Sequence, residues 1–462
     1  MSELLETDRL KQQETACSCL RRFLSLVKET PLSSSGALVR LQIEAPDLDA
    51  LTWLGSLTGV PRYYWRDRNG TVEMAGVGEA DVLDAQGGRD IEQVFALMQE
   101  RLKNGSEGIR YYGGFRFHSS PARHGLWRDY QAHRFVIPLL EYCRENEKAV
   151  FAAAVKDDGG RRKLIALLER MISAKQAVLP ELPVFSGRSD LPDFSGWKKQ
   201  IEDALHAFED GPLTKVVLAR ESSFHASAAV DPIALMCLLA DTAPDTTLFC
   251  FQPASCRAFL GASPERLYHR RGVHMQTEAL AGTRPRGLDP AEDARLEKEL
   301  VCSKKEQQEH AIVVESLLTT LDNFAVELQY PGKPAIKKLA HCQHLYTPVR
   351  VRLEQGVSDS FLLRQLHPTP AVGGYPKKEA LQYLREHEPF ERGIFAAPVG
   401  WIARDSADFF VGIRSAAVLG NRLCLYAGAG IVPDSVAEEE WRELDAKIHQ
   451  FAGVIEGRMH ES

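Results

Sequence analysis

Between residues 426 and 447 the chain reads YAGAGIVPDSVAEEEWRELDAK, and this stretch restricts the fold more than any other. A strand rich in small residues runs into Pro433, which breaks it, and a helix restarts a few positions on. Gly428 and Gly430 are expected at the turn, where a residue without Cβ accepts φ > 0 and lets a ligand approach the backbone. Ser435 followed by Glu438 has the form of a capping box and predicts the helix start. On that helix Glu440, Glu443 and Lys447 stand at i, i+3 and i+7 and share a face. Two carboxylates and an ammonium just beyond an amide-bearing turn suit a cation held together with an anionic ligand. In isolation the same run would be a solvated acidic helix face.

A second carboxylate pair changes that balance. Glu306 and Glu309, in CSKKEQQEHAIVV, lie three apart on a helix expected over about 290–324. Four glutamates brought face to face repel one another unless a cation lies between them. Oxygen ligands without His or Cys favour Mg²⁺. His310 falls on another face and reads as a capped or solvated histidine.

The remaining candidates are less defined by their residues. Glu265 in GASPERL sits beside a turn. Lys215 opens the strand KVVLARE; at a sheet edge it would discourage aggregation, whereas facing inward it would lose solvation, which favours the neutral amine a base needs. Thr283 lies in a glycine turn of TEALAGTRPRG, and His344 in HCQHLY is compatible with a satisfied core histidine. Arg414, in the apolar strand DFFVGIRSA, needs a partner such as a ligand carboxylate.

The formal charge of -7 gives no electrostatic reason to expect nucleic acid or an anionic membrane as partner. Nine cysteines without a CxxC pair suggest a reducing compartment and no structural zinc. The start, MSELLETDRLKQQET, lacks the basic and apolar segments of a leader, and no apolar run approaches the roughly 20 residues of a membrane span, so a cytoplasmic protein is expected. Strands and helices alternate irregularly, which favours α+β with antiparallel sheets. A proline- and glycine-bearing linker, AVLPELPVFSGRSDLPDFSGW, divides a β-rich part, 1–185, from a second region, 195–458.

Taken in order, KVVLAR, SPER, TEALAGT, KKEQQEH, QHL, HPTPAVGG, RSA and AGAGIV…EEEWRE…K resemble the chorismate-utilising enzymes, over about 197–457. These are the isochorismate, salicylate, anthranilate and aminodeoxychorismate synthases. LTWLGSLTGVPRYYWRDRNG and RYYGGFRF resemble the N-terminal part of the isochorismate synthases of menaquinone biosynthesis. The resemblance implies the α+β fold of aminodeoxychorismate synthase, with large antiparallel sheets packed with helices, both halves forming one body and the linker a surface loop. It implies that Lys215 activates water for attack at ring C2 and that Glu265 protonates the departing C4 hydroxyl. Glu309 and Glu443 would bind Mg²⁺, with Glu306 and Glu440 reaching it directly or through water. Arg414, Gly428 and Lys447 would hold one substrate carboxylate, with Thr283 and His344 lining the pocket. Lys215 argues against the ammonia-using anthranilate synthases, and Ala281 replaces the nucleophilic lysine of aminodeoxychorismate synthases. Phe395 stands where salicylate synthases tend to carry tyrosine, which makes isochorismate synthase the expectation and salicylate synthase the alternative. A water nucleophile requires no glutamine amidotransferase subunit, and a monomer or homodimer is expected. Whether the product would feed menaquinone or a siderophore is not encoded in these motifs.

Overall fold

The computed structural model describes residues 2–32, 36–85, 89–118, 125–173, 179–340 and 342–456. Within them lie two antiparallel sheets, of 12 and 10 strands, with helices packed about them, as the irregular alternation foretold. Both halves of the chain build both sheets. Arg62–Arg66 pairs with Thr247–Ala254 in the larger sheet, and Tyr111–Phe115 pairs with Pro398–Ile402 in the smaller. Trp65 and Phe410 meet between the sheets with ring centroids 5.8 Å apart, inside one continuous apolar core.

The strand Lys215–Ala226 is buried at every position except His225. It is no edge strand: Arg422–Ile431 flanks it on one side, Phe185–Leu191 and Gly374–Tyr375 on the other. A strand covered on both faces and both flanks has no reason to alternate polar with apolar residues. The expected linker falls partly outside the described residues, at 177–178, as does residue 457, where the resemblance ends. Its later part is not a surface loop, since Phe185–Leu191 is the strand just named.

Three elements differ from expectation in ways that position the site. The long helix is two helices, Pro290–Cys302 and Lys304–Asp322, hinged at Ser303. Ser303 has extended backbone, and its Oγ accepts from the Glu306 amide at 3.4 Å, so one serine ends the first helix and caps the second. Thr283 is not in a turn but in the strand His274–Pro285, paired with Cys342–Leu353 so that Thr283 faces His344. The register shifts at Gly282, whose φ of 77° is the bulge that a side chain would strain.

The third difference concerns Arg414. Residues 412–414 separate Ser406–Val411, in the smaller sheet, from Ser415–Leu419, in the larger. Arg414 therefore sits in a sheet-to-sheet link, at φ 50°, and not within a strand. Residues 264–265 form a matching link between Arg257–Ser263 and Arg266–Arg271. The two links are laced together. Val411 N donates to Glu265 O and Ala262 N to Arg414 O, both at 3.0 Å, and Ser263 Oγ donates to Val411 O at 2.6 Å.

Candidate active site

Beside these links lies a cavity of about 170 Å³, closed by the strands His274–Pro285 and Arg422–Ile431 and the helices Lys304–Asp322 and Ala437–Glu456. Eleven of the twelve residues singled out from the sequence form its wall. Lys215 does not. It is 1% exposed and lies behind Glu309, with Nζ 2.8 Å from Glu309 Oε1. Gly430 covers it; a Cβ there would stand 3.0 Å from Lys215 Cε.

Gly428 and Gly430 lie inside the strand Arg422–Ile431, and neither has positive φ. Their lack of a side chain serves close packing, since a Cβ on Gly428 would meet Val217 Cγ1 at 3.2 Å. Nor does Ser435 form a capping box with Glu438. The helix begins at Ala437, and Ser435 Oγ instead donates to Glu440 Oε1 at 2.8 Å.

On the helix side of the cavity, lysines and carboxylates balance. Burial would raise the carboxyls of Glu309 and Glu443, but Lys215 beside the first and Lys447 beside the second hold both below the ordinary glutamate range. Lys447 pairs with Glu443 and also donates to Gly428 O at 2.8 Å. Glu440 is more enclosed, with Lys305 Nζ 3.8 Å away, and burial together with the charge of Glu443 pushes its carboxyl up. Glu306 stands apart. Its Oε1 accepts from Arg284 at 2.6 Å and its Oε2 from the Thr283 amide at 3.0 Å, so both oxygens are engaged in fixing the bulged strand.

Among the described residues, no three His, Cys, Asp or Glu side chains stand ready to enclose a metal. The donor chemistry nevertheless fits a hard divalent cation: Glu309, Glu443 and Glu440 offer only oxygen and feel one another's charge, and lysines occupy the places beside them.

The opposite wall is more deeply buried. Glu265 is 6% exposed, and burial, reinforced by the charge of Glu278, raises its carboxyl to about 7. Thr369 Oγ1 donates to its Oε1 at 3.3 Å. Glu278 itself is kept ionised against burial by Lys337 and by Arg68, which grips it through both guanidinium nitrogens at 3.1 and 2.8 Å. His344 is driven down to about 3 by burial and by Arg414, and is therefore neutral; its Nδ1 lies 3.0 Å from Thr283 Oγ1. Arg414 donates to Lys447 O at 3.1 Å, and the Phe395 ring stacks on Tyr426 at 5.3 Å.

Sequence reasoning missed Lys305, Arg284, Arg392, Thr369, Glu278 and Arg68. Thr369 lies in HPTPAVGG and Glu278 in TEALAGT, both quoted above without a role for these positions. Arg392 gave no sequence signal. It is 1% exposed, pairs with Glu388, and donates to Val217 O at 2.6 Å and Val372 O at 2.9 Å.

A sheet-built cavity with opposed acid and cation sides defines a class of enzyme, and comparison with known proteins identifies it. The chain belongs to the family of chorismate-binding enzymes, whose model, "Chorismate binding enzyme", matches residues 25–456. Within that family it is of the isochorismate-synthase kind. It is 31% identical to isochorismate synthase MenF of Escherichia coli, over 94% of this chain and 96% of that protein. It is 35% identical to the salicylate biosynthesis isochorismate synthase of Pseudomonas aeruginosa, over 89% of this chain and 88% of that one. The solved structure of the menaquinone-specific MenF from Escherichia coli superposes with a TM-score of 0.84 at 29% identity, covering 95% of this chain and 99% of that chain. Anthranilate synthase component I from Streptococcus pneumoniae, at 19% identity and a TM-score of 0.66, shares the fold. No helix among the described residues is long and apolar enough to cross a membrane.

Proposed function

We propose that the protein converts chorismate into isochorismate in this cavity, with Mg²⁺ as cofactor. The observation that carries the reading is Glu265: a buried carboxyl raised to about 7, across one cavity from carboxylates held low by lysines. An acid and an anionic cation site in the same pocket are what exchanging a hydroxyl on a dianionic ring requires.

Glu265 protonates the departing C4 hydroxyl, for which a carboxyl still half protonated at neutral pH is suited. Lys215, which stands behind Glu309 and outside the cavity wall, would take the proton of the water that attacks C2 from that position. Lys215 donates to Glu309 Oε1, and a Glu309 carboxylate committed to the cation would release it from that pairing. Glu309, Glu443 and Glu440 would hold Mg²⁺, which when bound supplies charge neutralisation for the ring carboxylate. Glu306 orients Thr283 and Arg284 and stands behind the metal ligands. Arg414, the Gly428 backbone and Lys447 receive the second carboxylate, while Thr283, neutral His344 and Phe395 shape the wall.

The test is a product assay on purified protein with chorismate, in Mg²⁺ or in EDTA. Isochorismate alone, and only with Mg²⁺, is the expected result. Salicylate with pyruvate would move the protein to the salicylate synthases, and no conversion would refute the reading.

A further inference from the structure

Glu265 has a second side. Behind it lies a separate cavity of about 120 Å³, and among the described residues Glu265 is the one member common to the walls of both. Thr369, whose Oγ1 meets the acid, and Thr277, Glu278, Ser316 and Thr320 give this cavity its polar groups, in a wall that also carries Leu267, Val313 and Leu317. Its wall also includes Gln365 and Tyr375, both exposed, so it reaches solvent away from the substrate cavity. The volume is large enough for several waters, and the hydroxyl oxygens of Thr277 and Thr320, which donate to Leu267 O and Ser316 O, are free to accept from them.

The reaction creates a need for such a path. In each turnover a C–O bond forms at C2 from water, whose proton passes to Lys215, and the C4–O bond breaks as the hydroxyl takes the proton of Glu265 and leaves as water. The ring gains and loses one water, Lys215 ends one proton richer and Glu265 one poorer, so resetting the site releases the Lys215 proton to water as product leaves and returns one to Glu265. While substrate or product fills the first cavity, Glu265 is cut off from water on that side.

We propose that the second cavity is a proton inlet that recharges Glu265 from bulk water, with Thr369 as the positioning residue at its inner end. This rests on the assignment of Glu265 as the acid. The charged groups acting on Glu265 are Glu278, Lys215 and Lys337. Glu278 is already taken up by Arg68 and the Arg266 amide, which leaves the hydroxyl-lined wall as the route. Lys377, in the same wall, donates to Arg364 O at 2.8 Å and Gln365 O at 3.3 Å, and burial brings its ammonium down to about 8.

Ser316→Leu fills the inlet from the helix Lys304–Asp322, and Ser316→Ala is its control. Expected for the leucine variant is a kcat lower by about tenfold, with KM for chorismate and the Mg²⁺ requirement unchanged. The solvent deuterium isotope effect on kcat should grow, and a small protonated buffer such as imidazole should restore part of the rate. A merely structural defect would lower kcat without the isotope effect or the rescue. Thr369→Val gives the second reading should the leucine variant fail to fold: removing the hydroxyl should raise the isotope effect in the same way. Folded variants with wild-type kcat, isotope effect and buffer independence would overturn the inlet and leave the proposed reaction standing. A wild-type protein that makes no isochorismate removes the proposed reaction and the inlet with it.

Discussion

Glu265 and Glu309 face the same cavity, and their surroundings drive them in opposite directions. Glu309 projects from the first turns of a helix toward an enclosed ammonium 2.8 Å away, and its carboxyl is held low. Glu265 sits in a two-residue link between sheets, where its near neighbours are a hydroxyl and a second carboxylate, and its carboxyl rises to about 7. Burial acts on both in the same sense; the nearest charge decides the outcome. One cavity thereby keeps an anion for binding and a proton for delivery at the same pH.

The sharpest way to break this contrast is to remove the proton. Glu265→Gln keeps the shape and should lower kcat by about 10²- to 10⁴-fold with little change in KM; a loss below threefold in steady-state kinetics would remove Glu265 as the acid. The same variant carries a stability signature. The folded-state carboxyl is raised from the ordinary 4.5 to about 7, so its contribution is fully present below 4.5 and is lost as pH rises through about 7. The glutamine variant should therefore melt progressively higher than wild type as pH is raised from about 5 to about 8, by the equivalent of roughly 3 kcal/mol at most. A constant gap in melting temperature would contradict the raised carboxyl.

Removing the ammonium attacks the other half. Lys215→Ala should lose about 10²-fold or more in turnover. It should also leave Glu309 without the cation that competes for it, so Mg²⁺ should bind more tightly in calorimetric titration without substrate. Turnover near wild type would take Lys215 out of the mechanism, and weaker metal binding would separate Glu309 from the metal site. Glu443→Gln has a smaller expected effect, a Mg²⁺ requirement raised about 10- to 100-fold with kcat largely recovered at saturating metal. Wild-type Mg²⁺ dependence would refute Glu443 as a ligand.

How far this contrast was legible in the sequence depends on how local its causes are. The i, i+3 spacing of Glu440 with Glu443 and the placing of Lys447 on their face follow from helix geometry and were readable. So was the α+β class, from the rhythm of strands and helices. Glu265 was readable only by resemblance, because what raises its carboxyl, beyond burial, lies far away along the chain: Glu278 across a strand pair, itself kept ionised by Arg68 from the N-terminal part. The hinge at Ser303 and the link at Arg414 were missed for a related reason. A serine inside a polar helical run and an arginine inside an apolar run announce no break; the break comes from two sheets that the same segments must join.

Glu278 tests the long-range part of the comparison with the smallest expected effect. Its charge is the second cause, after burial, of the high carboxyl of Glu265, and Glu278→Gln removes it. It also leaves Arg68 and Lys337 without their common partner, and both changes favour the ionised form of Glu265. The two effects have one sign, so the alkaline limb of kcat should move to lower pH, by about one unit, costing about tenfold at slightly alkaline pH and little in acid. A limb that stays in place would show that burial alone sets the acid. A limb that moves would show that the charge of Glu278, which Arg68 of the N-terminal part grips, helps make Glu265 differ from Glu309.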